Sequence, residues 1–364
     1  MRLPPLDFLL ARMLLEYMRK ELSMTETNAT TRDMLLPVIF GKTSNGEIVT
    51  RDLARLPHLL IGGLTGSGKS VFLHSLICSL VQDRSPKHVR FVLMDPKRVE
   101  FGAYAKLPHL YSPIVHEPEQ GLTMLKNVEA EMDKRLDFFR LKGCRSIADF
   151  YKAHAEARMP HIVVVIDELS DFMVGSDGSF ESTASRIAAL GRSAGVHLVM
   201  ATSRPDARIV SGRLKANIPG RLAFRVYQKE DSRTLLDKYG AEKLIGRGDA
   251  LLKDADGMIS RLQTPCISDN AIKQVVDSAI ARYPGRKFTD GIASTISEKK
   301  DYESMYARAI DLVRTTRRAS TSWLQRQLNI GYNDAAHVMS LLEERGIIGP
   351  ANDKGQREIL IEDS

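Results

Sequence analysis

The stretch IGGLTGSGKS, residues 61–70, decides the fold. It matches the pattern G-x-x-x-x-G-K-[ST] at every position, after the apolar run HLLIGG and before the helical run KSVFLHSLICSLV. Glycines permit a tight turn that aims successive backbone N–H groups inward, and the N-terminus of the following helix favours a bound phosphate. The pattern predicts a loop that holds the phosphates of a nucleotide, formed by Gly63, Leu64, Thr65, Gly66, Ser67, Gly68, Lys69, Ser70 and Val71.

A pair of acids supports this interpretation. The run HIVVVIDELSDF places Asp167 and Glu168 at the carboxyl end of an apolar strand, where the ligands of open α/β sheets bind. We predict that Lys69 contacts the β- and γ-phosphates of ATP and that the Ser70 hydroxyl holds Mg²⁺, which Asp167 fixes through water. Glu168 would orient and polarise the attacking water. Alternatively, the two acids cap the next helix, but the upstream glycine loop favours ATP hydrolysis.

Alternation of strand, turn and helix predicts the fold class. Short continuous runs of Val, Ile and Leu are separated by helical stretches, which indicates a parallel sheet buried on both faces in a doubly wound α/β core. The predicted strands are HLLIGG, VRFVLMD, HIVVVIDE, VHLVMATSRP and RLAFRV. A hairpin around Asn45 and Gly46 precedes them, and within a helical region over residues 118–157 a long helix ends at Gly143.

The same patterns predict four segments. They are a helical and polar N-terminal segment over residues 1–34, an α/β ATPase domain with a small N-terminal β subdomain over 35–285, a linker over 286–303, and a winged helix-turn-helix domain over 304–364. The linker is polar and has no sustained periodicity. The last segment has the order helix, short helix, turn, helix and hairpin, which is typical of a winged helix.

Composition restricts the compartment and the partners. The most apolar N-terminal run, LDFLLARMLLEYM, contains Arg12 and Glu16 and is too short to cross a bilayer, so we expect no membrane span and a cytoplasmic location. Three cysteines at unpatterned spacing form neither a metal motif nor a disulfide framework, which indicates a reducing compartment. The formal net charge of +7 suits a polyanion such as nucleic acid and is also compatible with plain solubility.

Seven longer stretches share one resemblance. They are LPHLLIGGLTGSGKSVFLHSLI, RFVLMDPKRVEF, VVVIDELSDFM, AGVHLVMATSRPD, LKANIPGRLAFRV, DSRTLLDKYGAEKLIGRGDALL and the terminal RRASTSWLQRQLNIGYNDAAHVMSLLEERGIIGP. Together they look like the motor and terminal modules of the FtsK/SpoIIIE family of bacterial DNA translocases, over roughly residues 35–360. The resemblance implies a RecA-like P-loop ATPase core with a C-terminal winged helix-turn-helix domain. It further implies a homo-hexameric ring that threads double-stranded DNA and moves along it by ATP hydrolysis, with division or recombination proteins as further partners.

The resemblance also implies roles for basic residues outside the glycine loop. Arg204 and Arg233 would lie on channel loops that touch the DNA backbone, where cations add affinity without sequence preference. Arg192 would act as an arginine finger on the ATP of the neighbouring subunit, with Lys229 as a second contact of that kind. Without the resemblance, surface solvation or ion pairs would be the simpler interpretation of all four residues.

Two features depart from the family pattern. Ser203 stands at the γ-phosphate-sensing position, where the family usually has glutamine, and its shorter side chain would reach the phosphate only through water. In residues 301–364, eight Arg and Lys residues stand against ten Asp and Glu residues, so this domain offers few cations to DNA. Arg317, Arg318 and Asn333 remain as predicted DNA contacts, and use of the domain for protein contact is the alternative.

Three functional hypotheses follow. The leading one is an ATP-dependent double-stranded DNA translocase, a hexameric ring motor that acts in chromosome segregation or DNA transfer at cell division. The second is a substrate-pumping ATPase of a secretion or conjugation system, a class that shares the motor fold but usually lacks the winged helix. The third, an inactive DNA-binding scaffold, is disfavoured because the glycine loop and both acids are present.

Overall fold

The computed structural model describes residues 34–154, 159–173, 175–284, 302–328, 332–351 and 357–360. The chain divides into two units, Met1–Ile292 and Ala293–Ser364, and each is described by itself. The predicted N-terminal segment, apart from its last residue, and the predicted linker, apart from its last two, lie outside the described residues. Among the helices that the structure does describe, none is both long enough and apolar enough to cross a bilayer.

A nine-stranded sheet organises the first unit. Its strands are β1 (Pro37–Thr43), β2 (Ile48–Asp52), β3 (Leu59–Gly62), β4 (Val89–Met94), β5 (His161–Ile166), β6 (Val196–Thr202), β7 (Gly220–Phe224), β8 (Asp249–Lys253) and β9 (Ile259–Gln263). Across the sheet they lie in the order β2-β1-β9-β8-β7-β3-β6-β5-β4. The five strands from β7 to β4 are parallel, and β8, β9, β1 and β2 extend the sheet with antiparallel pairing.

Helices connect the strands and cover the sheet. They are α1 (Lys69–Asp83), α2 (Pro118–Leu141), α3 (Ile147–Ala153), α4 (Leu169–Met173), α5 (Ser179–Ala194), α6 (Gly212–Ala216), α7 (Lys229–Leu236) and α8 (Asp269–Arg282), with 3₁₀ turns at Gly102–Tyr104 and Ala241–Lys243. As predicted, the end of α2 is marked by Gly143. This glycine has a φ of +69°, which residues other than glycine rarely adopt.

The core lies on both faces of the parallel strands, whose residues are all buried. On one face, the ring of Phe72 in α1 lies 5.3 Å from that of Phe40 and 6.3 Å from that of Phe224, measured between centroids. Val163 and Val165 of β5 belong to the same core, so alternation turns their neighbours to the opposite face, where α5 packs on β6 and α2 on α5. The predicted α/β fold is therefore confirmed.

Helix α7 is capped at its start and packs against the sheet near its end. It begins with a capping box, in which the Gln228 side chain accepts from the backbone N–H of Asp231 and the Asp231 carboxylate accepts from that of Gln228. At its other end, Leu235 packs against Gly62, the last residue of β3, so closely that a Cβ at Gly62 would overlap the leucine side chain. Helix α7 is therefore packed directly against the end of β3.

The second unit contains α9 (Tyr302–Thr316), α10 (Thr321–Leu328), α11 (Tyr332–Glu344) and an antiparallel pair, β10 (Ile348–Ala351) and β11 (Arg357–Ile359). This order of three helices and a hairpin is the predicted winged helix-turn-helix. Its core brings all five elements together and includes Ala309, Val313, Leu324, Val338, Leu342 and Ile348. The Arg345 guanidinium lies over the Tyr306 ring, 4.5 Å from its centroid.

Candidate active site

The sheet order brings three predicted segments together. Strand β6 pairs with β3 on one side and with β5 on the other. Because the carboxyl ends of parallel strands meet at one edge of a sheet, the P-loop (residues 63–70), the acid pair and the residues after β6 are neighbours. Ser203 follows β6 directly, so it lies between the strand that precedes the P-loop and the strand that precedes the acid pair.

Two glycines of the P-loop are required by backbone shape and close packing. Gly63 and Gly68 have φ angles of +155° and +123°. A Cβ at Gly63 would lie 2.6 Å from the Cβ of Phe224, and one at Gly68 would lie 2.8 Å from the backbone nitrogen of Gly248. The Gly248 N–H also donates to the carbonyl of Ser67 at 2.9 Å, which fixes the segment before β8 against the loop. The loop is thus a backbone cradle that a side chain would fill.

Lys69 and Ser70 are the first residues of α1, at the helix N-terminus that ends the P-loop. The Lys69 ammonium donates to the carbonyls of Gly63 and Leu64, at 2.6 and 3.0 Å. Burial lowers the pKa of Lys69, while the charges of Glu168 and Asp167 favour its protonated form. A cation therefore lies inside the cradle, on the side of the acid pair.

Asp167 follows β5 and is 7% exposed. Burial, reinforced by the nearby charges of Glu100 and Asp95, raises its pKa to about 7. The carboxylate form of Asp167 is therefore disfavoured in the protein alone. A bound cation would reverse that preference, because it would be attracted to several carboxylates at once.

Glu168 is held by donors on β6 and α4. Its Oε1 accepts from the hydroxyls of Ser170 and Thr202, both at 2.8 Å, and its Oε2 accepts from the Ser203 hydroxyl at 2.5 Å and the Ser203 N–H at 3.0 Å. Burial alone would raise the pKa of Glu168, but these hydrogen bonds outweigh it and lower the pKa. Glu168 is anchored mainly to the end of β6, which is not the helix-cap arrangement considered as the alternative.

A cavity of about 630 Å³ lies between these segments. This volume is in the usual range for small-molecule sites. The lining residues that the sequence predicted are Thr65, Gly66, Gly68, Lys69, Ser70, Val71, Asp167, Glu168 and Ser203. The others come from the segment after β4, from the segment just before β8, and from the end of β9 and the residues that follow it. They are Lys97, Val99, Glu100, Arg247, Gly248, Gln263, Thr264, Pro265 and Cys266.

The residues that the sequence analysis missed had a partial signal. Lys97 and Glu100 belong to the stretch RFVLMDPKRVEF, which resembles the family but suggested no role for them. The segments around β8 and β9 lie on the far side of β7 from β3, and only the fold brings them to the P-loop. Arg247 and Gly248 belong to the stretch DSRTLLDKYGAEKLIGRGDALL, which resembles the family but suggested no role for them, and no local pattern marks residues 263–266 as part of a site.

The predicted basic residues are not among those that line the cavity. Arg192 is in the last turn of α5, Arg204 follows β6, and Lys229 and Arg233 are one turn apart on α7. All four are exposed, and none lines the cavity. In the second unit, Arg317 and Arg318 are exposed after α9. Asn333 belongs to α11, but its side chain lies outside the described residues.

Two family models match the chain. The model of the FtsK/SpoIIIE family matches residues 22–207, just over half of the chain, and includes the P-loop, the acid pair and Ser203. The model of the Ftsk gamma domain matches residues 300–362, which contain the winged helix-turn-helix. The two matches thus cover both units of the fold.

Curated relatives extend the similarity over most of the chain. A protein named DNA translocase FtsK from Leptospira interrogans is 40% identical over 337 residues, which are 89% of this chain and 35% of that protein. A protein of the same name from Treponema pallidum is 40% identical over 354 residues, 94% of this chain and 44% of its own length. The chain spans less than half the length of these relatives.

Solved structures share the fold of the first unit. The conjugation coupling protein TcpA of pCW3, described with ATPγS, has a TM-score of 0.60 and 27% identity over 68% of this chain and 71% of its own. The type VII secretion ATPase EccC of Thermomonospora curvata has a TM-score of 0.57 and 27% identity over 67% of this chain and 31% of its own. With the fold, the site and the family models in agreement, the chain belongs to the FtsK/SpoIIIE family.

Proposed function

We propose that this chain is an ATP-dependent double-stranded DNA translocase. The observation that supports it best is the cavity in which the Lys69 ammonium meets Asp167 and Glu168, in a chain of the FtsK/SpoIIIE family. ATP hydrolysis at this cavity is the proposed source of energy. The name of the curated relatives, DNA translocase FtsK, supports DNA as the substrate that is moved.

The residues around the cavity fit a nucleoside triphosphate with Mg²⁺. The P-loop offers glycine positions at which a side chain would collide with neighbouring segments, and an ammonium group beside them. The raised pKa of Asp167 reflects burial among other carboxylates, which a divalent cation would offset. Ser70 and Asp167 are the proposed Mg²⁺-holding residues. The bound ion would neutralise charge on the phosphates.

Glu168 is the proposed general base. Its lowered pKa keeps the carboxylate ionised at neutral pH, as is required to accept a proton from the attacking water. Each of its oxygens already accepts at least two hydrogen bonds, so the water gains a place only when one donor turns away. The Ser203 hydroxyl is the donor that borders the cavity. In this proposal, Ser203 turns from Glu168 towards the γ-phosphate and so links phosphate binding to the base.

The sheet order suggests how the nucleotide is oriented in the cavity. The acid pair and Ser203 lie on the β6 and β5 side of β3, and Gln263 and Cys266 come from β9 and beyond, on the other side. The γ-phosphate would therefore lie towards Glu168 and the nucleoside towards Cys266. The Cys266 thiol is exposed in the protein alone, so bound nucleotide would cover it.

The exposed basic residues are the proposed contacts outside the cavity. Arg204 and Arg233 would bind the DNA backbone, and Arg192 and Lys229 would complete the nucleotide site of the neighbouring subunit in a homo-hexameric ring. Their exposure and their distance from the cavity of their own chain support roles towards other molecules. The second unit would add weak, salt-sensitive DNA binding through Arg317, Arg318 and Asn333. Division or recombination proteins are further proposed partners.

The test is ATP hydrolysis by the purified chain with and without long duplex DNA. We expect DNA to raise the rate, and Lys69→Ala to lower it by about a hundredfold or more, because the ammonium stabilises charge that develops on the phosphates. Lys106→Ala is the matched control, since this lysine is exposed outside the cavity and should not affect the rate. Equal rates with and without DNA would contradict the proposal.

The second candidate is a substrate-pumping ATPase of a secretion or conjugation system. The observation in its favour is the fold similarity to the coupling protein TcpA and the secretion ATPase EccC. The match of residues 300–362 to the Ftsk gamma domain favours the translocase instead. The two candidates differ in one measurement, because a pump should hydrolyse ATP at a rate that duplex DNA does not change.

A further inference from the structure

The segment after β4, residues 96–101, is a rigid part of the cavity wall, and we call it the β4 loop. Asp95 is fully buried, and its carboxylate accepts from the backbone N–H groups of Glu100 and Phe101, at 3.0 and 2.9 Å. Arg98 has a positive φ of +58°, and such a backbone persists only where the surroundings impose it. The β4 loop is therefore held in one shape by its own backbone contacts.

Glu100 connects the β4 loop to the P-loop helix. Its carboxylate lies 3.4 Å from the Nε2 of His74 in α1, and the other ring nitrogen of His74 lies 2.9 Å from the Tyr104 hydroxyl. Phe101 is buried beside this contact and anchors the end of the loop. The loop thus contacts the helix that follows the P-loop, although β4 lies at the edge of the sheet, three strands away from β3.

This framework places Lys97 over the cavity. The Lys97 ammonium lies 3.7 Å from the Oε2 of Glu168, and its side chain is 54% exposed whereas that of Glu168 is 3% exposed. Since Glu168 already accepts hydrogen bonds from four donor groups of Ser170, Thr202 and Ser203, the lysine makes a charge contact that it can give up at little cost.

The charges around the cavity suggest where Lys97 would go. In sheet order, the acid pair lies between the P-loop after β3 and the β4 loop after β4, so Lys69 and Lys97 approach it from opposite sides. Lys69 lies within the P-loop, where the β- and γ-phosphates would bind. A terminal phosphate that reaches towards Glu168 would bring several negative oxygens towards an ammonium whose contact with Glu168, at 3.7 Å, is long for an ion pair.

We propose that Lys97 is a second lysine of the nucleotide site, which leaves Glu168 to bind the terminal phosphate of a nucleoside triphosphate. This inference rests on the proposed nucleotide-binding function. Lys97 would then distinguish a triphosphate from a diphosphate, because only the triphosphate has a group within its reach. It would also free one side of Glu168 for water at the moment when the substrate is in place.

The test compares the affinities of the full chain for ADP and for a non-hydrolysable ATP analogue, both with Mg²⁺, in the wild type, Lys97→Met and the control Lys106→Met. We expect Lys97→Met to lower the affinity for the ATP analogue by about tenfold and the affinity for ADP by less than about twofold, because one charge-assisted contact is lost. Lys106→Met should change neither affinity. Lys97→Arg should restore part of the preference for the triphosphate.

Each result decides between the two proposals. If Lys97→Met lowered the affinities for both nucleotides equally, or lowered neither, the role of Lys97 would be overturned. The nucleotide site itself would still stand, provided that Lys69→Ala abolished binding. A wild-type chain that binds neither nucleotide would overturn the proposed function and this inference together. Because the backbone of the β4 loop is held by Asp95, the thermal unfolding of Lys97→Met should match that of the wild type.

Discussion

Asp167 and Glu168 are adjacent in sequence, yet their carboxyl groups have opposite surroundings. Asp167 is buried near Glu100 and Asp95, which raises its pKa, whereas Glu168 accepts hydrogen bonds that lower its own. Environments that separate the pKa values of two carboxyl groups are typical of acid–base sites. The sequence predicted that both residues belong to the site, but only the contacts of each side chain assign its protonation state.

The raised pKa of Asp167 has a consequence for stability. Its folded pKa of about 7 lies above the unfolded value, so protonated Asp167 contributes stability that is complete below the unfolded pKa and lost as the pH rises through 7. In metal-free buffer, we expect Asp167→Asn to raise the free energy of unfolding by about 1 to 4 kcal/mol at pH 8 and by less at pH 5. Denaturant titrations at the two pH values measure the difference.

The control for this prediction is Asp277→Asn in α8. Asp277 is exposed, so the same change of charge should alter stability by less than about 0.5 kcal/mol at either pH. If Asp167→Asn changed the free energy of unfolding by the same amount at pH 8 and at pH 5, the raised pKa of the carboxyl group would be contradicted.

At the scale of the elements, three buried histidines join the amino ends of the central strands. His161 at the start of β5 and His197 at the start of β6 stack, with their Nδ1 and Nε2 atoms 2.9 Å apart, and the Nδ1 of His197 lies 2.9 Å from the carbonyl of Pro57. His58, just before β3, accepts from the backbone N–H of Leu198. All three act in their neutral form, at the end of the sheet opposite the cavity.

These histidines should make the fold sensitive to acid. Burial lowers the pKa of His58 to about 3 and of His197 to about 4, so their stabilising contribution is present above the unfolded pKa and lost as the pH falls through the folded values. Each imidazole that is protonated only in the unfolded state adds about 1.4 kcal/mol per pH unit to the slope below pH 6. We expect His197→Gln to flatten the slope of unfolding free energy between pH 6 and pH 4.5.

A histidine on the surface separates this effect from general acid destabilisation. His154, at the end of α3, is exposed, and His154→Gln should leave the slope unchanged. Identical slopes for His197→Gln and the wild type would contradict the prediction.

The elements differ in how readily their sequence predicts them. The parallel strands are continuous apolar runs because both of their faces are buried, and these runs are unambiguous. Strands β8 and β9, DALLK and ISRLQ, are short and partly exposed, so their sequences have neither a continuous run nor a clear alternation. Their sequences therefore do not predict two strands, or the residues that these strands bring to the cavity.

At the scale of the whole molecule, the proposed ring divides each nucleotide site between two chains. Lys69 lies within the cavity, and Arg192 is exposed on α5 of the same chain but away from it. We expect Lys69→Ala alone and Arg192→Ala alone each to lower the DNA-stimulated ATPase rate by at least about a hundredfold. Mixing them should restore part of the DNA-stimulated ATPase rate, since an intact P-loop then meets an intact arginine.

The control for the mixing experiment is Arg282→Ala, an exposed arginine at the end of α8, which should be active alone. If the mixture were no more active than its components, Arg192 would not act on a neighbouring chain. Long-range assignments of this kind came from family resemblance, because the spacing of residues within one chain contains no information on a partner.

The tight contact between Gly62 and Leu235 joins two regions with different proposed ligands. Gly62 precedes the P-loop directly, and Leu235 lies two residues beyond Arg233 on the helix that also carries Lys229. A Cβ at Gly62 would lie 2.2 Å from the Leu235 side chain, so there is no free space between the two residues. If nucleotide binding displaces the P-loop and β3, we expect Leu235 to be displaced as well, and with it the helix that carries two exposed cations.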